Sequence, residues 1–368
     1  MNPPTTPNPR PAPTTPGARP TQNARPAPEA PPPLLRTVTG PRPLHTITGP
    51  VLPHEHLALD LDRTGEDAAV LDHRHAPAVT AELTGLREEF GLGLVVELTC
   101  RGMGRDAAAL ARLSRASGVA VTAATGWYYE PFHTPDIDGS SVERLAETLV
   151  REIDDGIGAT GVRPAVIGEI GSHGDEPSEP EARVLRAAAR AALATGLPVA
   201  THAGLGRGGR AQLALLTHEG LAPDRISIGH QDLLADPATH RELAEAGAYI
   251  AFDTVGKEHY LGDDTRLRLL LALLDAGHAD RALLSCDISR HRYLWSEGGP
   301  GYGHLFRVFL PRLRAAGADE ELIDLLTRRN PLRLLTGADP GPRTAYASRS
   351  SPGAGPAPRP DPRTPQEP

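Results

Sequence analysis

The sequence predicts an α/β protein, a (β/α)8 TIM barrel with disordered Pro-rich tails at both ends. Three observations carry that expectation. Eight short apolar runs alternate with amphipathic stretches between residues 35 and 337. Most of these runs are continuously apolar, as parallel strands covered on both faces require. Ionisable residues recur where the runs end, which is where a barrel of this kind keeps its chemistry. A doubly wound open sheet is the competing arrangement, and the number of strands favours the barrel.

The strand candidates are 45–53 (HTITGPVLP), 92–99 (LGLVVELT), 118–125 (GVAVTAAT), 164–170 (PAVIGEI), 198–202 (PVATH), 226–230 (ISIGH), 248–254 (AYIAFDT) and 282–287 (ALLSCD). Helices fall between them. Val142, Leu145, Leu149, Ile153 and Ile157 form one apolar stripe, with Ser140 and Glu143 ahead of it as a capping box. Ser178 and Glu181 repeat that signature before Val184, Leu185 and Ala188. The stretch 264–277 closes on Gly277, a residue suited to the left-handed turn after a helix.

The ends differ from the middle. Residues 1–34 and 338–368 are rich in Pro, Gly, Ser and Thr, and such segments bury too little apolar surface to offset chain entropy. The expected organisation is a tail (1–34), one barrel domain (35–337) and a second tail (338–368).

Composition narrows the function. Of 368 residues, 39% are apolar and 23% charged, with a formal net charge of −8. A nucleic-acid binder would carry a basic face, so no nucleic-acid partner is expected. No run approaches a membrane span, and residues 1–34 hold no apolar signal core. The two cysteines, Cys100 and Cys286, sit inside apolar strands and suggest no disulfide framework. A cytoplasmic protein acting on a small molecule is expected; the sequence leaves a homodimer open.

Six residues stand at strand ends and could bind metal. His54 and His56, in GPVLPHEHL, share a face if the chain there is extended. Glu169 ends the fourth strand, His202 the fifth, His230 the sixth and Asp287 the eighth. Each alone is a weak signal. Together, four imidazoles and two carboxylates on one rim suit two borderline-soft divalent cations, and burying them without a cation would be costly. A second HxH, His73-Arg74-His75, follows no strand and is assigned to solvent.

These motifs resemble the phosphotriesterase-related family of the amidohydrolase superfamily, in its phosphotriesterase homology protein branch. The resemblance runs from TVTGP and GPVLPHEHL through VVELTCRGMGRD, ATGWYY, VIGEIG, PVATHA, ISIGHQD, FDTVGK and LLSCDISR to RNPLRLL. It implies a binuclear centre in which His54, His56 and Asp287 hold the more buried metal and His202 and His230 the more exposed one. Many members bridge the two with a carboxylated lysine. This chain has one lysine, Lys257, which follows the seventh strand. Glu169 stands at the bridging position instead, so assembly of the site should not need carbon dioxide. Zinc is the default metal, with manganese, cobalt or iron as alternatives.

The implied reaction is attack by a metal-bridging hydroxide on an ester, lactone or acyl-amino carbonyl, with weak phosphotriester hydrolysis as a side activity. Asp287 would also accept the nucleophile's proton, and His230 or Asp232 would orient the site. The alternative is a catalytically silent barrel that binds a small molecule or a protein. A mononuclear deaminase is disfavoured by the bridge that Glu169 supplies. Trp127, Tyr128, Lys257 and Arg290 follow strands three, seven and eight and could line the substrate pocket; the two cations among them favour an anionic substrate. The glycine run 204–209 fits G-x-G-x-x-G but follows the wrong strand for a dinucleotide site, and reads as a loop over the pocket. Glu97 reads as an interior hydrogen-bonded group, and Cys286 as packing.

Overall fold

The computed structural model describes Met1, residues 33–63, Gly65 and residues 69–343. The chain divides into two units, residues 1–32 and 33–368, and the first lies outside the described residues apart from Met1. Most of both expected tails therefore lies outside them as well. The part of the second tail that is described, 338–343, is tied down: Asp339 pairs with Arg329 and Arg333, and Arg328 donates to the Gly341 carbonyl. The ordered body thus extends past residue 337.

Eight parallel strands form the barrel. They are β1 (Val51–Glu55), β2 (Leu94–Glu97), β3 (Ala120–Thr122, continued by Ala124–Thr125), β4 (Val166–Ser172), β5 (Val199–Ala203), β6 (Ile226–Ile228), β7 (Tyr249–Phe252) and β8 (Ala282–Leu284). Each pairs with the next in parallel register from β1 to β8, with a break inside β3 at Ala123. Side chains bridge the β8–β1 seam. The Glu55 carboxylate accepts from the Ser285 hydroxyl (2.7 Å) and from the Cys286 and Ile288 amides (both 2.8 Å).

A helix follows each strand: α1 (Ala76–Phe90), α2 (Ala107–Ser117), α3 (Val142–Asp155), α4 (Glu179–Thr195), α5 (Gly209–His218), α6 (Pro237–Glu245), α7 (Asp263–Asp275) and α8 (Leu310–Ala315). The capping box at Ser178 and Glu181 is present. That of α3 is shifted: Ser141 caps the Arg144 amide, while the Ser140 hydroxyl donates to the Asp136 carbonyl. Helix α7 ends as expected, with Gly277 left-handed (φ +87°) and its amide on the Leu274 carbonyl. Among the described residues, no helix is long and apolar enough to cross a membrane.

The strands are shorter than the apolar runs suggest. Residues 45–50 form a short helical turn and loop, so β1 begins at Val51. At the other ends, His230 (φ +54°) and Asp287 (φ +48°) turn left-handed and leave the ladder. Alternate side chains fill the barrel's lower half. Leu94, Val96 and Leu98 point inward to meet Val51, Val166 and Ala200, with Leu332 and Leu335 of the C-terminal helix closing the floor. Val95 faces the opposite way, into the layer beneath the helices. With the floor packed, the barrel interior opens at its upper rim, where barrels of this kind keep their chemistry.

Gly49 marks one tight approach. A methyl group there would collide with the carbonyl oxygen of Gly91, the residue that ends α1. Gly49→Ala is therefore expected to cost about 1–3 kcal/mol, read from denaturant unfolding. An unchanged midpoint would show that this contact is not tight.

Candidate metal centre

The six strand-end residues named from the sequence converge. His54 lies on β1 and His56 directly after it. Glu169 lies within β4 and His202 within β5. His230 and Asp287 follow β6 and β8. Glu169 is the hub. Its Oε1 lies 3.2 Å from His56 Nε2. Its Oε2 lies 3.1 Å from His202 Nδ1, 3.5 Å from His54 Nε2 and 3.6 Å from His230 Nε2. Asp287 Oδ1 lies 3.3 Å from His56 Nε2 and 3.9 Å from His54 Nε2. Glu169 therefore belongs to two trios with metal-ligand spacing, one with His54 and His56 and one with His202 and His230.

Hydrogen bonds behind the rings fix which nitrogens face inward. His54 Nδ1–H donates to Asp253 Oδ2 (2.7 Å), and His230 Nδ1–H donates to Asp253 Oδ1 (2.9 Å). A carboxylate only accepts, so the proton sits on Nδ1 and each Nε2 is directed at Glu169. For His56, Nδ1 lies 2.9 Å from the Thr99 hydroxyl, which donates to Glu97 (2.5 Å). Glu97 thus supports His56 through Thr99. Glu55, between the two histidines, faces the other way and grips the amides on either side of Asp287.

This donor set fits divalent cations. His54 Nε2 is buried without a hydrogen-bond partner, and it faces carboxylate oxygens. Lone pairs meeting across a buried gap repel unless a cation lies between them. The protein without metal answers with protons. Burial alone would depress the basicity of these rings, but Asp253 and Glu169 overcome it at His54, which is raised well above the ordinary range. Against the same burial, Asp287 and Glu169 raise His56 to about 9, and Asp253 raises His230 to about 10. Burial would push Glu169 and Asp287 up, yet both are held well below the carboxylate range, Glu169 by the imidazoles and Asp287 first by Lys257. A site this eager for positive charge is suited to metal.

Over the cluster lies a cavity of about 310 Å³, lined by Tyr128, Lys257 and Arg290 among others. The Tyr128 hydroxyl is 3.1 Å from His202 Nδ1. Lys257, 3% exposed, forms an ion pair with Asp287 Oδ2. Arg290 reaches the wall with its Nε buried and unpartnered. Trp127 does not reach the cavity. It is fully buried and its indole N–H donates to Thr134 (2.8 Å), so its role is packing and not substrate contact. The glycine turn after β5 does place Gly204 and Leu205 at the cavity.

Other sequence expectations shift. Asp232 does not touch the rings; it accepts from the Asp253 and Thr254 amides and from Arg266, and so holds Asp253 from behind. His73 is 89% exposed, as expected of solvent, but His75 is mostly buried and stacks on His291. Sequence reasoning missed Asp253, although the acid closing the seventh strand run was the available signal. It also missed Tyr129, whose ring lies parallel to that of His202 at 5.5 Å. Asp253→Ala is expected to weaken metal affinity by about 10–100-fold, read by chelator competition. Unchanged affinity would remove Asp253 from the site.

A (β/α)8 barrel with a histidine–carboxylate cluster able to hold metal at its rim fits the class of metal-dependent hydrolases. Comparison with known proteins narrows it: residues 35–335 match the phosphotriesterase family. The phosphotriesterase homology protein of Escherichia coli is 36% identical over 77% of this chain and 97% of its own length. Its crystal structure, with phosphate in the active site, superposes with a TM-score of 0.76 over 78% of this chain and 99% of that one. The N-acetyltaurine hydrolase of Rattus norvegicus is 31% identical over 72% of this chain and 80% of its own length. A mutant of the PTE-like lactonase of Deinococcus radiodurans is 35% identical, with a TM-score of 0.74 over 82% of this chain and 99% of that one. The chain belongs to the phosphotriesterase family, and it is a phosphotriesterase-like hydrolase.

Proposed function

We propose that this hydrolase is binuclear and cleaves an ester, lactone or acyl-amino bond in a small anionic substrate, with phosphotriester hydrolysis as a weak side activity. The observation that carries the reading is the sharing of Glu169 between two histidine pairs. His54, His56 and Asp287 would hold one divalent cation and His202 and His230 the other, with Glu169 between them and zinc as the default. Two such cations supply a water acidified to near neutrality and a Lewis acid for the substrate's oxygen.

The chain's own residues do the rest. Asp253 locks the His54 and His230 rings in one tautomer. Asp287 Oδ1 faces the cluster and accepts the proton that water loses on attack. Arg290 and Lys257 give one wall of the cavity positive charge, which suits a carboxylate, sulfonate or phosphate on the substrate. Tyr128 and Phe132, whose rings pack together, also line the cavity and offer an aromatic face for the acyl portion. The activities for which the N-acetyltaurine hydrolase and the lactonase are named support a carbonyl target over a phosphotriester.

The test is a metal assay followed by a hydrolysis screen of the metal-loaded protein against lactones, N-acyl amino acids or sulfonates, and phosphate esters. Close to two metal equivalents and turnover of one acyl class are expected. A protein that binds no metal yet holds a small molecule tightly would overturn the reading in favour of a silent barrel.

A further inference from the structure

Hydrolysis of an acyl bond leaves a proton in the wrong place. It departs from the attacking water, while the departing amine or alkoxide needs one. The geometry points to Lys257 as the catalytic residue that protonates the leaving group, fed by Asp287; this rests on the hydrolase reading above.

Asp287 has two differently directed oxygens. Oδ1 lies 3.3 Å from His56 Nε2, facing the cluster where the attacking water would be held. Oδ2 contacts Lys257 Nζ. The ammonium also lies 3.3 Å from the Ser289 hydroxyl and 5.1 Å from the centre of the Tyr293 ring, so it is held at the cavity wall and only 3% exposed. Two neighbours on the cavity lining are less suited to the task. Arg290 does not give up protons in a protein, and the Tyr128 hydroxyl is engaged with His202.

The step balances without a further reactant. Water's oxygen bonds to the carbonyl carbon as its proton passes to Asp287 Oδ1. The bond from carbon to nitrogen or oxygen breaks, its electron pair stays on the leaving atom, and that atom takes a proton from Lys257 Nζ. The carboxyl group of Asp287 then turns its protonated oxygen toward the lysine amine and returns the proton, so the carboxylate and the ammonium are both restored. Both residues end as they began, and the products are an acid and an amine or alcohol.

The relay predicts an effect that depends on the leaving group. Amines and alkoxides must be protonated as they depart, whereas an aryloxide leaves without help. The experiment compares metal-loaded wild type, Lys257→Met and Lys257→Arg on an N-acyl amine, an alkyl ester and an aryl ester of one acyl group. Both variants are expected to lose about 10²–10³-fold in kcat on the amine and alkyl leaving groups and less than about tenfold on the aryl ester. Equal losses on all three would overturn the assignment and leave Lys257 a positioning residue for Asp287. Full rescue by arginine would overturn it too, since charge alone would then suffice. A wild type inactive on all three would bring down the hydrolase reading first. A readout independent of turnover comes from the sequence: Lys257 is the only lysine. Protein labelled with [ε-13C]lysine should show one lysine resonance, and Asp287→Asn should move it; an unmoved resonance would deny the contact on which the relay depends.

Discussion

Asp287→Asn should lower turnover of an acyl substrate by at least about 10³-fold with the barrel still folded. The substitution keeps shape and takes away charge. Asparagine tolerates the left-handed conformation that Asp287 adopts at φ +48°, so the turn after β8 has no reason to change. The Glu55 carboxylate continues to hold the amides on either side. What disappears is an acceptor for water's proton at Oδ1 and the counter-charge to a buried lysine at Oδ2. Removing one partner of a buried pair is destabilising, so the thermal midpoint should fall while the far-UV circular dichroism at 25 °C stays native. Measuring metal content beside kcat separates a lost cation from a lost proton acceptor. A metal-loaded variant with near wild-type kcat would remove Asp287 from the chemistry.

The relation between sequence and site is uneven for a physical reason. His54 and His56 were legible because a two-residue spacing on an extended strand has one geometric meaning. Glu169, His202, His230 and Asp287 were legible because each ends an apolar run, and parallel strands in a barrel end on one rim. Glu169 as hub followed from the family resemblance, whose bridging position on the fourth strand is occupied by Glu169 in a chain with no lysine there. Asp253 was not legible by the same means, since a strand-end acid can face the ligands or stand behind them. Only the packed structure shows one carboxylate reaching both His54 and His230. Glu55 escaped attention for a related cause: alternation along β1 sends it away from the cavity, and its partners lie some 230 positions away. Trp127 misled because a large aromatic after a strand reads equally as pocket wall or as core, and an indole with a partner in Thr134 is free to be core. Strand ends were overestimated where His230 and Asp287 turn left-handed, a backbone feature that apolar patterning does not record.

Removing metal should destabilise the protein, and more so at high pH. A ligand present at a hundred times its dissociation constant stabilises by about 2.7 kcal/mol, which is worth about 5–10 °C in thermal midpoint for a domain of this size at roughly 2–4 °C per kcal/mol. The pH dependence follows from what replaces the cations. In the metal-free protein His56 and His230 bind protons with values near 9 and 10, against about 6.5 when unfolded. Groups raised in this way contribute stability that is fully present below about pH 6.5 and lost as pH climbs through 9 to 10. Glu169 and Asp287, held below the carboxylate range, contribute stability present above about pH 4 and lost on acidification. Metal-free protein should therefore be most stable between about pH 4 and 6.5 and weaken on the alkaline side. Metal binding has the opposite slope, because cations compete with those same protons and bind more tightly as pH rises. The difference in thermal midpoint between metal-loaded and chelated protein should accordingly be larger at pH 9 than at pH 6. An equal gap at the two values, or a metal-free protein more stable at pH 9, would mean that the imidazole cluster does not exchange protons for metal.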